Sequence, residues 1–208
     1  MTDLKSRKQS LAREIALWIV VVAAIVVPLA AAGASPLLAW REPVYQLAGF
    51  AGILGFALMF MQPLLAGGYL PGLPRQKGRR LHRAIGLLLV FCVITHVVAL
   101  WITSPPDVVD ALLFVSATPF SIWGVIAMWA IFAAATVALL RYRLPLRVWR
   151  LAHTVLVALT ITGTVVHALM IEGTMETFSK VVLCALVLFA VGKTVYDLRV
   201  WAAWRRRS

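Results

Sequence analysis

Six long apolar stretches, roughly residues 11–33, 45–66, 80–103, 119–140, 148–171 and 178–200, constrain this chain more than any other feature of it. Each is close to the ~20 residues that a helix needs to cross the hydrocarbon core of a bilayer. A segment in lipid must satisfy its own backbone hydrogen bonds, which favours helices. The chain is 62% hydrophobic with a mean hydropathy of +0.91, whereas a soluble domain is roughly half apolar. The expected fold is therefore all-α: a polytopic membrane protein in which residues 1–208 form one domain, a bundle of six transmembrane helices.

The formal net charge of +12 does not point to nucleic acid, because its basic residues cluster in short loops and tails between apolar spans. That pattern orients a membrane protein. With six alternating spans, Lys5, Arg7 and Lys8, the group Arg75, Lys77, Arg79 and Arg80, the group Arg141, Arg143, Arg147 and Arg150, and the tail Arg205–Arg207 share one side. Glu42, Asp107, Asp110, Glu172 and Glu176 fall on the other, with Arg41 and Lys180 as the nearby cations. The positive-inside rule makes the basic side cytoplasmic. Both termini are then cytoplasmic, and the expected location is a bacterial inner (plasma) membrane. The basic start resembles a signal peptide, but its apolar run exceeds a typical h-region, so a retained first span is expected. Trp18, Trp40, Trp101, Trp123, Trp149 and Trp201 fall near span ends, as an aromatic belt does. The stretch 104–118 is expected to lie along the outer surface.

Four histidines are present, and all lie in two spans. His82 and His96 are in the third and His153 and His167 in the fifth, each pair 14 residues apart. Fourteen residues of helix rise about 21 Å and turn about 40° short of four full turns. Each helix thus carries two imidazoles on nearly one face, towards opposite sides of the membrane. The third and fifth spans run in the same direction, so His82 pairs with His153 at the inner side and His96 with His167 at the outer side. Ionisable residues inside a bilayer are costly and usually functional, and neutral imidazole is a common metal ligand. One histidine from each helix at matched depth suits a six-coordinate heme iron, whose closed coordination favours electron transfer over chemistry at iron. There is no C-x-x-C-H, and Cys92 and Cys184 lie inside spans without disulfide or zinc spacing. The expected cofactor is heme b: two stacked b-type hemes about 20 Å apart between the third and fifth spans, with no catalytic side chain. The rival use of such histidines is packing or a proton relay, and a relay usually recruits mid-membrane carboxylates. None is found in the middle of any span.

Neighbouring residues extend the candidate site. Gly86 lies four residues after His82 and Gly163 four before His167. Either a porphyrin edge or a close helix contact calls for glycine there. Arg79, Arg80, Arg83, Arg147 and Arg150 lie near the inner histidines, where they set topology, pair with heme propionates or dock a cytosolic donor. Arg41 is a candidate partner for an outer propionate or an anionic substrate. In the second span, Ala48-x-x-x-Gly52 and Ala51-x-x-x-Gly55 permit close helix packing.

Around RRLHRAIGLL, continuing to His96, and VWRLAH, continuing to His167, the chain resembles the ferric reductase-like transmembrane domain family. That family includes ferric reductases, the membrane half of NADPH oxidases and the heme-binding membrane subunit of bacterial periplasmic methionine-sulfoxide reductase. The resemblance covers the second to sixth spans. It implies a membrane oxidoreductase in which His82, His96, His153 and His167 are axial heme ligands. Electrons would move outward from the cytoplasm to ferric iron, oxygen or a periplasmic acceptor protein. Many members continue into flavin and nicotinamide domains, but this chain has no G-x-G-x-x-G. A separate cytoplasmic flavoreductase, quinol, or a bound flavin that the sequence does not show is therefore the expected donor. Besides lipid, these are the expected partners, and no nucleic acid is among them. The methionine-sulfoxide reductase subunits tend to lack the histidine that stands here as His82, and to have Arg-Trp where this chain has Val148-Trp149-Arg150. The resemblance thus reaches the superfamily. The cytochrome b of quinol–cytochrome c oxidoreductase has the same 14-residue spacing, but its P-E-W motif is absent here. The alternatives are a heme-binding membrane anchor that donates electrons to a periplasmic reductase and a heme-free transporter or scaffold.

Overall fold

Proline and glycine set most of the helix boundaries. The computed structural model describes residues 2–197, whose long elements are α1 (Thr2–Gly33), α2 (Pro43–Gly67), α3 (Arg75–Thr103), α4 (Pro105–Leu112), α5 (Pro119–Leu139), α6 (Leu146–Met170) and α7 (Thr177–Asp197). Short 3-10 turns lie at Pro36–Trp40 and Leu140–Tyr142. Pro43, Pro105 and Pro119 open α2, α4 and α5, where the missing N–H has no intrahelical partner to lose. α2 ends on Gly68, at φ 70°, whose N–H donates to the Leu64 carbonyl. Glycine takes that left-handed cap without a Cβ clash. Among the described residues all regular structure is helical, and six segments are long and apolar enough to span a membrane: Leu11–Gly33, Pro43–Gly67, Arg75–Thr103, Pro119–Tyr142, Leu146–Met170 and Thr177–Asp197.

These match the six spans expected from the sequence, with informative differences. α3 begins five residues before the expected start, at Arg75, and its exposed basic residues carry the helix beyond the apolar run. Long basic side chains keep their charged heads in water while their stems cover apolar surface. The outer stretch 104–118 contains the short α4, whose first turn carries Asp107, a favourable place for a carboxylate. α7 is capped by Glu176, whose carboxylate accepts from the Phe178 and Ser179 N–H groups, both at 2.7 Å. These two donors hold the Glu176 carboxyl below the ordinary carboxylate range. The end of the expected sixth span, with Trp201 and the basic tail, lies outside the described residues.

α2 is the centre of the bundle. Phe56, Leu58, Met59, Phe60, Leu64 and Leu65 are buried in one cluster with Leu89 and Cys92 of α3, Ile161 and Val165 of α6, and Leu183 and Val187 of α7. α2 packs along α3, and α5 packs along α6, as two antiparallel hairpins. α7 and α1 close on α2 from the other side. α3 and α6 make at most marginal backbone contact. The face of α3 bearing Leu87, Phe91, Ile94 and Val98 is exposed, as a lipid-facing stripe would be.

Polar contacts fix the ends. Thr194 of α7 donates to the Pro63 carbonyl at 3.2 Å, and Tyr69 donates its hydroxyl to Asp197, which also pairs with Lys193 at 2.8 Å. The end of α2 and the end of α7 therefore share one end of the bundle. At the start of α7, Lys180 is only 5% exposed, and its Nζ donates to the Ile171 carbonyl at 2.7 Å. A cation there complements the negative C-terminal end of α6.

The α5–α6 hairpin closes at Gly163. A Cβ there would lie 2.8 Å from the Trp123 carbonyl and 3.0 Å from the Ala127 Cβ. Backbone cannot rotate out of the way, so Gly163→Ala is expected to lower stability by about 1–3 kcal/mol. Thermal unfolding in detergent would measure the loss. Gly192→Ala, whose added Cβ meets nothing within 4 Å among the described residues, is the matched control.

Candidate functional site

The two hairpins present their histidines in the same way. On α3, His96 Nδ1 lies 2.7 Å from the Ala48 carbonyl oxygen, and His82 Nδ1 lies 3.2 Å from the Gln62 carbonyl oxygen. Both carbonyls belong to α2. On α6, His167 Nδ1 lies 2.8 Å from the Phe120 carbonyl oxygen of α5. His153 Nδ1 is buried facing the Ala134 carbonyl of α5 without closing a well-aligned hydrogen bond. Ala48 and Gln62 are 14 residues apart, and so are Phe120 and Ala134. Descending one helix from histidine to histidine thus ascends its antiparallel neighbour from carbonyl to carbonyl.

This geometry decides a tautomer. A backbone carbonyl only accepts, so a ring nitrogen at 2.7–2.8 Å from one carries the proton and donates it. The other nitrogen, Nε2, then keeps its lone pair. A metal-bound histidine typically has this arrangement, with its second ring N–H given to a carbonyl or carboxylate.

Two glycines that the sequence did not single out as site residues make it possible. A Cβ on Gly52 would lie 3.0 Å from His96 Nδ1, and one on Gly124 would lie 2.8 Å from His167 Nδ1. Each glycine is four residues after the accepting carbonyl, one turn along, and leaves the space into which the ring lies. The Ala48-x-x-x-Gly52 pattern, expected to serve helix packing, is thus also the seat of His96.

Across α3 and α6 the histidines lie within electrostatic range of one another. His82 interacts electrostatically with His153, and His96 with His167, across the separation between α3 and α6. All four rings are half-buried. Among the described residues no three His, Cys, Asp or Glu side chains gather into a metal-ion site, whereas a bis-imidazole iron needs only two. The other expected residues are more dispersed. Arg83 is exposed but within electrostatic range of His82, and Arg150 is exposed at the same end. The Arg41 guanidinium lies over the Tyr45 ring, 4.7 Å from its centroid, and among the described residues no hydrogen bond joins it to an outer histidine. Gly86 faces only the Gln62 amide, 3.9 Å from a built Cβ. Gly163 faces α5, so of its two readings the helix contact is the one observed.

Two further side chains lie beside His82 and His153. Trp149, read from sequence as part of an aromatic belt, stacks on His153 with centroids 5.8 Å apart and planes 10° apart. Its Nε1 is buried without a hydrogen-bond partner among the described residues, and Arg141 lies over its ring at 5.5 Å. Its position four residues before His153 is the one sequence signal for this contact, since residues so spaced share a helix face. Gln62 folds against His82 and Gly86.

Residues 51–164, just over half the chain, match the family model of the ferric reductase like transmembrane component. The chain belongs to that family. Its members are membrane oxidoreductases, so the resemblance seen in the histidine stretches holds at the level of the family. The matched segment runs from α2 into α6 and includes His82, His96 and His153, while His167 lies just beyond it. No curated protein and no solved structure matches the chain.

Within this ferric reductase-like domain, Gly124→Ala would push the His167 ring from its carbonyl. The added Cβ, 2.8 Å from the ring, is expected to lower stability by about 1–3 kcal/mol. Thermal unfolding in detergent checks this, with Gly173→Ala, whose Cβ meets nothing within 4 Å among the described residues, expected to match wild type.

Proposed function

We propose that this ferric reductase-like domain carries electrons across a bacterial inner membrane, from a cytoplasmic donor to an extracytoplasmic acceptor, with two bis-histidine b-type hemes. The observation that carries the reading is the carbonyl lock on Nδ1 of His96 and His167. It leaves Nε2 of both rings as a lone-pair donor, the form that an iron ligand requires. A packing histidine has no need of a matched partner on a second helix with the same lock.

His82 with His153, and His96 with His167, would hold the two groups, and bound heme supplies one-electron redox chemistry. The chain's own residues orient and enclose. α2 and α5 hold His82, His96 and His167 through their carbonyls and present the Ala134 carbonyl towards His153. α3 and α6 make at most marginal backbone contact, and the two groups would lie between their imidazoles. The basic residues near the inner pair, among them Arg79, Arg80, Arg83, Arg147 and Arg150, offer charge to propionates or to an acidic docking face of a donor protein. A separate flavoreductase or quinol is the proposed donor, and ferric iron, oxygen or a periplasmic protein the acceptor. The basic ends of the bundle support cytoplasmic termini.

Purified protein is expected to carry about two b-type hemes per chain, with a low-spin reduced spectrum from bis-imidazole ligation. His96→Ala should lose about half of that heme, leaving the inner site occupied. Pyridine hemochrome assay and visible spectra give both numbers. A folded, heme-free wild type would end the reading in favour of a transporter or scaffold.

A further inference from the structure

Three of the four histidines are held by an edge. His82, His96 and His167 each have Nδ1 near a carbonyl oxygen of the neighbouring helix, at 3.2, 2.7 and 2.8 Å. His153 is the exception. Its Nδ1 faces the Ala134 carbonyl without closing a well-aligned hydrogen bond, and that atom is buried without a hydrogen-bond partner among the described residues. Burial leaves no room there for a bridging water to take the carbonyl's place. An imidazole in this position needs some other contact to fix it, because the torsion that turns its ring is broad and not staggered.

What His153 has is a contact on its face. The Trp149 indole lies nearly parallel to it, with centroids 5.8 Å apart and planes 10° apart. Among the described residues the other three rings lack such a partner, and Phe120 meets His167 edge-on, at 69°. Trp149 and His153 are four residues apart on α6, so the register of one helix brings the two rings together. The indole is held in turn. Arg141, in the 3-10 turn before α6, lies over it at 5.5 Å, within cation–π range. Trp149 Nε1 is buried and makes no hydrogen bond among the described residues. What the indole offers His153 is therefore its face and not its polar edge.

We infer that Trp149 is the positioning residue of His153: its indole face takes the place of the carbonyl lock and sets the plane of that imidazole. This rests on the two-heme reading above. The inner pair then has two kinds of support, a carbonyl on His82 and a stacked ring on His153, whereas both outer rings have carbonyls.

The test is the ferric EPR spectrum and the heme retention of detergent-solubilised wild type, Trp149→Phe, Trp149→Leu and Trp149→Met. The inner heme is identified as the one lost in His153→Ala. A low-spin bis-imidazole EPR signal depends on the angle between the two ring planes, which a change in overall stability does not move. Trp149→Leu and Trp149→Met are expected to shift the inner signal and to release the inner heme about 2- to 10-fold faster to an excess of heme-scavenging protein, the worth of one aromatic pair. Trp149→Phe restores a ring face and is expected to stay near wild type. The outer heme should be unchanged in all three, which reports an intact fold. An inner signal that stays in place in the Leu and Met variants, or a Phe variant as impaired as they are, would overturn the role of the Trp149 face and leave the two-heme reading standing. Loss of both hemes together in the Leu and Met variants would overturn it too, by making Trp149 a residue of the fold at large. A wild type without heme would overturn both readings.

Discussion

A carbonyl oxygen inside a membrane can accept a hydrogen bond but never give one, and the arrangement of this protein depends on that asymmetry. α2 and α5 aim carbonyls at Nδ1 of the histidines on α3 and α6. Each ring that accepts this offer becomes a donor on one side and a free base on the other. Interhelical side-chain hydrogen bonds in membranes contribute only about 0.6–2 kcal/mol each. A few such bonds are small beside the burial of α2 among its neighbours. Their consequence is therefore chemical more than energetic: they choose a tautomer and a direction for each imidazole.

The hairpin is the unit that delivers this. Close packing of α2 on α3, and of α5 on α6, brings ring and carbonyl together, and glycine at 52 and 124 lets the rings lie in that tight interface. Each histidine-bearing helix packs along its hairpin partner, while α3 and α6 make at most marginal backbone contact with each other. The same logic explains why the burial is concentrated in α2 and why α3 is so largely exposed.

Much of the fold was legible in the chain. Apolar length dictates the spans, and the basic ends of α3 and α6 mark one side of the membrane. The fourteen-residue spacing of the histidines recurs in the carbonyls of the neighbouring helices, Ala48 and Gln62 on α2 and Phe120 and Ala134 on α5. Other assignments were blurred by features that sequence cannot separate. Gly163 and Gly86 have the same four-residue relation to a histidine, yet one faces the Trp123 backbone and the other a glutamine amide. Trp149 has the position of a belt residue and stacks on His153 all the same. Lys180 reads as an outer-surface cation and is buried against the end of α6. In each case the residue type and register were visible, but the partner came from another helix.

The sequence by itself determined six apolar spans and the fourteen-residue interval between imidazoles, because hydrophobic length and helical rise are properties of one segment at a time. Only the tertiary structure decided that Nδ1 of His96 and of His167 faces a backbone carbonyl and so carries the proton, and that His82 meets the Gln62 amide. Those outcomes rest on carbonyls, which every residue possesses and no sequence pattern marks. They acquire meaning only when a second helix lies close enough for a ring to reach one.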